Sequence, residues 1–221
     1  MCMNNHLPFK EHVQEYEAWF DRHTAVFESE LLALREIWPR GNDLMSLEIG
    51  AATGRFSKEL KITEALDPES SLLEKATERG VRTMPGMAED LPYAANQFEI
   101  VFIGTSIHYI SNLPKALAEA CRILRNSGKL ITAFIDRESR IGSSYEAAKK
   151  DSLFYAPARF FTVAEIQKQI IDAGFVNLTI TQTLFGNLND IREVQACKSG
   201  HGEGAYIIIK AEKPGYDLPL P

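Results

Sequence analysis

"MSLEIGAATGRFSKEL", residues 45–60, is the stretch whose reading decides the fold. The apolar run Leu44–Ile49 is short, with turn residues on both sides, and reads as a strand. "GAATG", residues 50–54, reads as a turn, and helical spacing resumes after it. A strand feeding a helix through glycines aims backbone N–H groups and a helix N-terminus at a ligand in the crevice. Gly50 and Gly54 fit that geometry, whereas Ala51 and Ala52 stand where such turns usually carry one more glycine. A GxxxG turn alone is weak grounds for a cofactor site, so its surroundings have to decide.

The strand–turn–helix unit recurs. "ITEAL" (62–66) is a second strand, and Ser70 is placed to cap a helix through Arg79. "VRTMPG" (81–86) is a third strand. "FEIVFIGT" (98–105) is a fourth, continuously apolar as strands covered on both faces are. Asn112, with Pro114 in the first turn, opens a helix, and "NSG" (126–128) precedes a fifth strand, "KLITAFID". Such alternation predicts an α/β fold with a doubly wound parallel sheet. Upstream, Val13, Tyr16, Phe20, Phe27, Leu31 and Leu34 recur at helical spacing and predict one amphipathic arm from His12 to Trp38. Downstream, "VNLTITQT" (176–183) and "GAYIIIKAEK" (204–213) are sixth and seventh strands. No long helix joins them, which predicts an antiparallel hairpin at the sheet edge. The expected organisation is a helical arm or lid over 1–40, a ligand-binding domain over 41–213 and a flexible tail over 214–221.

Composition narrows the function classes. The 221 residues carry 24 Lys and Arg against 30 Asp and Glu, a net charge of -6, with no massed basic face. Nucleic acid and anionic membrane are therefore not the expected partners, and a small molecule is. No apolar run approaches the roughly 20 residues of a membrane span. Three scattered cysteines and the lack of a secretion signal at the start predict reduced thiols and a cytoplasmic location. His12 and His23 lack an evident third ligand, so no metal is expected. Oligomeric state is not legible.

Two carboxylates sharpen the reading of the turn. Glu48, two residues before Gly50, would repel a pyrophosphate and welcome a cationic ligand. Asp67, seventeen residues beyond Gly50 at the end of the second strand, can accept from both hydroxyls of a ribose. Together they describe a cationic, ribose-bearing cofactor without phosphate.

"LEIGAATGRF", "ALDPESSLLEKA", "GMAEDLPYAANQFEIVF" and "EACRILRNSGKL" resemble, in order, the cofactor motifs of class I S-adenosylmethionine-dependent methyltransferases of type 11. The resemblance runs over residues 44–182 and implies a Rossmann-like seven-stranded fold with an antiparallel C-terminal strand. It also implies S-adenosyl-L-methionine as cofactor and S-adenosyl-L-homocysteine as product. Carried over by motif, Glu48, Gly50, Ala52 and Gly54 would surround the methionine moiety and Asp67 would hold the ribose. Met87, Ala88 and Glu89 would meet the adenine, and Thr105 would face the sulfonium. Ala52 departs from the family's usual glycine, Met87 from a common acidic residue, and "NSG" from "PGG". The arm "YEAWF" and the stretches "FIDRESRIG", "SLFYAPARFFT" and "GEGAYIIIK" are similar to a small prokaryotic subgroup of the family, to which a histamine N-methyltransferase label is sometimes given.

Methyl transfer asks the protein to hold a nucleophile in line and exclude water. Acceptor-side residues belong at the carboxyl ends of the fourth and fifth strands or on the arm. His108 is placed to act as a base or to orient the acceptor, or else is a structural loop histidine. Tyr16, Trp19 and His23 form either a lid or core. Asp136, with Arg137 and Glu138, either grips a charged acceptor or pairs at the surface. Tyr145, Tyr155 and Arg159 lie in the stretch expected to build the acceptor pocket. The expected activity is methylation of a small molecule, an amine among the acceptors considered. The second reading is a non-catalytic cofactor-binding or interaction module of the same fold, kept open by Ala51-Ala52. A nicotinamide oxidoreductase is opposed by Glu48.

Overall fold

The computed structural model describes residues 8–41 and 44–215. Residues 216–221 of the expected tail and the first seven residues lie outside the described ones. Eight strands form one sheet. They are β1 (Ser46–Ile49), β2 (Glu64–Asp67), β3 (Thr83–Pro85), β4 (Phe98–Ile103), β5 (Leu124–Ile135), β6 (Val176–Phe185), β7 (Lys198–Ser199) and β8 (Gly204–Glu212). Their spatial order is β3-β2-β1-β4-β5-β8-β6-β7. The first five are parallel, as the alternation predicted. β8 runs antiparallel to both neighbours, paired along β5 from Lys129↔Glu212 to Ile135↔Tyr206 and along β6.

Two details differ from the sequence reading. The last long strand is not at the edge but inserted between β5 and β6, and the two-residue β7 adds an eighth strand beyond the seven expected. A two-residue strand has no periodicity to read. β5 also begins at Leu124, ahead of "NSG", with Ser127 at φ 60, so that segment interrupts a strand rather than preceding it.

The sheet is covered on both faces, and the period of two sorts its side chains. Val101, Ile103, Leu130, Phe134, Ile207 and Ile209 face one core with helices α5 (Leu113–Ile123) and α7 (Val163–Asp172). Ile100, Phe102, Ile131, Ala133, Tyr206 and Ile208 face the other, with Val26 and Leu34 of α2 (Thr24–Ile37) and Ile141 of α6 (Arg140–Ala148). α5 starts where predicted, Asn112 Oδ1 accepting from Lys115 N at 3.1 Å, and Thr162 with Glu165 closes a capping box on α7. In α4 (Ser70–Glu78) the cap is Glu69, and Ser70 is already helical.

The arm is two helices. α1 (Val13–Arg22) ends at His23, whose ring Nδ1 is 2.8 Å from Trp19 O and whose ring stacks on Trp19 at 4.6 Å; α2 follows at once. The break turns Tyr16, Trp19 and Phe20 toward Phe27 and Phe56, an aromatic cluster beside the glycine turn.

Candidate active site

β1 delivers the chain to Gly50, whose φ of 72° and tight contact both demand glycine. A Cβ there would lie 2.3 Å from that of Ser106. Gly54, at φ 73°, lets α3 (Arg55–Leu60) approach α4, an added Cβ meeting Ala76 Cβ at 2.7 Å. Between them Ala52 takes the left-handed conformation at φ 48°. That conformation is held inside the chain, because Asp67 Oδ2 accepts Ala52 N–H at 2.8 Å. The methyl group's cost of about 1–2 kcal/mol therefore falls on folding.

Four of the turn's five amides are occupied. Gly50 and Ala51 N–H donate to Leu66 O at 2.7 and 3.0 Å, Gly54 N–H to Ala51 O at 2.9 Å, and Ala52 N–H to Asp67. A turn with these donors already paired makes a poor phosphate cradle. Asp67 Oδ1 also accepts Glu69 N–H at 2.9 Å, which leaves one lone pair on each oxygen for a ligand. Burial pushes its carboxyl up to about 6 against those two hydrogen bonds.

A cavity of about 520 Å³ opens over this turn and runs inward beneath the arm. Its outer end is walled by Gly50, Ala52, Asp67, Glu69, Met87, Ala88 and Glu89. Thr105 and His108, on the short 3₁₀ turn after β4, also line it. Tyr16 and Trp19 of α1 line it from the arm, while Tyr145, Tyr155 and Arg159 come from the 140–160 segment. Phe9 stacks on Phe154 at 5.4 Å and meets Tyr16 and Tyr109 edge-on, roofing the opening with aromatic rings.

Four residues expected at the site lie off the cavity wall. Glu48 is buried beneath the turn and accepts from Ser57 Oγ, its carboxyl raised to about 8 by burial. Gly54 serves helix packing. His23 is taken up by Trp19, because the helix break turns it back on α1. Asp136 is buried in its own turn, accepting Glu138 N–H at 3.2 Å, and Arg137 pairs with Glu165 rather than with a neighbour in sequence.

His108 lines the cavity but has no nitrogen to offer. Nδ1 is 2.9 Å from Arg159 O and therefore carries the proton, while Nε2 accepts Ile135 N–H at 3.1 Å. Burial lowers its pKa to about 4. Of the alternatives read from the sequence, these contacts favour the structural histidine over the base: the neutral ring ties β5 to the 159 segment.

Two charged residues that the sequence reading passed over matter here. Glu17 of α1 accepts from Arg55, Arg79 and Thr53, clamping the arm to the glycine turn. Burial would raise its carboxyl, but Arg55, Thr53 and Arg79 outweigh burial and hold it below the ordinary range. Glu30 of α2 lines the inner end of the cavity and is only 5% exposed. Burial raises it to about 8. Its signal was present: Glu30 lies four residues from both Val26 and Leu34, on the buried face of an apolar helix.

The methyltransferase domain family model matches residues 47–132. A solved S-adenosylmethionine-dependent methyltransferase of Thermotoga maritima, described as a possible histamine N-methyltransferase, is 38% identical. It covers 93% of this chain and 98% of its own, with a TM-score of 0.90. The chain belongs to the S-adenosylmethionine-dependent methyltransferases. An uncharacterized protein of Methanocaldococcus jannaschii is 36% identical over 93% of this chain and 98% of its own length. The fold alone is shared with phosphoethanolamine N-methyltransferase 2 of Haemonchus contortus, solved with S-adenosyl-L-methionine. That likeness is 14% identical, with a TM-score of 0.67 over 94% of this chain and 60% of that one.

The cofactor of this methyltransferase is S-adenosyl-L-methionine, and the chemistry of the turn fits it. The four paired amides make a poor phosphate cradle, and Asp67 keeps acceptor capacity for hydroxyl groups. Among the described residues no helix is long and apolar enough to cross a membrane, and no three His, Cys, Asp or Glu side chains gather to hold a metal.

Proposed function

We propose that this methyltransferase acts on a small-molecule acceptor bound in the inner half of the cavity. Asp67 and the 87–89 segment hold the cofactor at the outer half. The observation that carries the reading is a continuous cavity of about 520 Å³, roofed by Phe9, Tyr16 and Phe154, a size suited to small ligands. When bound, the cofactor supplies a methyl carbon already activated by its sulfonium. The chain's own residues position and enclose. Thr105 lies on the wall, the aromatic roof excludes water, and Glu17 holds the roof helix onto the cofactor turn. His108 sets the wall and takes no proton. The arm over residues 1–40 serves as the lid in this reading, and 41–213 as the domain it covers.

Calorimetric titration of S-adenosylmethionine, S-adenosylhomocysteine and NAD into the protein and its Asp67→Ala variant tests the cofactor half. Both sulfur ligands should bind the wild type, bind the variant far more weakly, and NAD should bind neither. Release of S-adenosylhomocysteine with a fractionated metabolite pool, and none with protein or RNA, tests the acceptor class. Turnover only with a macromolecule would overturn the proposal.

A further inference from the structure

The other buried carboxylates have donors: Glu48 has Ser57, Asp67 has two backbone amides, Asp136 has Glu138 N–H, and Glu64 has the Tyr93 hydroxyl. Glu30 has neither a donor nor a cation among the described residues, and what remains accessible of it faces the cavity. A carboxyl in that position costs the fold stability that an apolar side chain would not. Around it stand Tyr145 and Tyr155, stacked at 4.2 Å and both lining the cavity, with Leu184 and Leu188. All three side chains line the one cavity, and each phenol is raised chiefly by its burial, with Tyr155 acting next on Tyr145 and the Glu30 charge adding a smaller part to both. The buried Tyr206 hydroxyl, without a partner, feels that charge too. Arg159, at the rim of the cavity, is turned onto the Phe161 ring at 4.7 Å.

We propose that Glu30 recognises the methyl acceptor, and that the acceptor is a small basic nitrogen compound whose N–H donates to Glu30 while its body lies against Tyr145 and Tyr155. The inference rests on the reading of the inner cavity as the acceptor site. With the cavity empty, burial keeps the proton on Glu30 up to about pH 8; a basic nitrogen takes that proton and pairs with the resulting carboxylate, which offers acceptors only. Aromatic faces beside it favour the same cation. An anionic acceptor cannot take that proton and form the ion pair, and a purely apolar one would leave the carboxyl unpartnered.

The test uses the full chain saturated with S-adenosylhomocysteine. Amine, alcohol and carboxylate of each of three skeletons (straight alkyl, benzyl and imidazolylethyl) are titrated into the wild type, Glu30→Gln and Glu30→Asp. The wild type should prefer an amine over its matched alcohol by about tenfold or more, the worth of one charge-assisted hydrogen bond. Glu30→Gln should lose the preference and Glu30→Asp keep part of it, with affinity for S-adenosylhomocysteine unchanged in both. Tighter binding of an alcohol or carboxylate, or a preference surviving in Glu30→Gln, overturns the inference while leaving the small-molecule reading standing. If no compound of any class binds, both fall.

Discussion

Replacing Glu30 by Gln should change how stability depends on pH, by an amount the structure sets. The Glu30 carboxyl is raised from an ordinary 4.5 to about 8 by burial. Between those values the native chain keeps a proton that the unfolded chain has lost, so stability falls as pH rises and levels off above about 8. Integrated from about pH 5 to about pH 7.5, the loss assigned to this one group is about 3 kcal/mol. Gln has the same shape and does not titrate. Glu48 and Asp67 are raised as well, but they are present in both proteins and cancel in the comparison. Urea unfolding of wild type and variant at the two pH values gives the double difference directly. The variant should match the wild type to about 1 kcal/mol near pH 5 and exceed it by about 3 kcal/mol near pH 7.5. Parallel pH dependence of the two proteins would refute the placement of an unpartnered carboxyl at the inner end of the cavity.

Other expectations are as direct. Glu17→Ala should cost about 2 kcal/mol, below the value for a fully buried network because its partners are partly exposed, and should open α1 to trypsin. Glu17 is held below its ordinary value, so its contribution is present above about pH 4.3 and lost as pH falls further; an acid limb unchanged in the variant would contradict the clamp. Gly50→Ala should abolish cofactor binding, since its new Cβ has no room beside Ser106. Ala52→Gly should leave affinity unchanged and raise stability by at most about 1 kcal/mol, strain relief being offset by the freer unfolded chain; a gain in affinity would show that the strain falls on binding instead. The His108 ring resonances should not titrate above about pH 5, and a midpoint near 6.5 would refute the tie to Arg159 and Ile135.

What was legible followed from periodicity. The parallel half of the sheet, the glycine turn and Asp67 were readable because strands covered on both faces are unbroken apolar runs, and a carboxylate ending β2 has a fixed place beside the turn. The insertion of β8 was not, because pairing partners far apart in sequence leave no local trace. Glu48 looked like a ligand residue from its spacing, but Ser57, a turn into α3, takes it up. His108 was read by residue type, and only its two partners, Arg159 and Ile135, reveal that neither nitrogen is spare. Glu30 was passed over although its spacing from Val26 and Leu34 puts it on the buried face of α2, since pattern reading asks which positions are apolar, not which charged one sits among them.

The position of β8 also orders events in time. β5 can pair with β8 only after Gly204–Glu212 has been synthesised, well after β5 and β6 themselves, yet that strand fills the gap between them. Until it leaves the ribosome, the nascent chain holds two exposed strand edges, one of them the apolar Leu130–Ile135 stretch. A chain stopped short of residue 204 would therefore be open along its middle rather than trimmed at its rim. The helices of the arm precede every strand in the sequence, and the strand that joins the two parts of the sheet follows both of its neighbours, so the sheet stays divided until that strand is made.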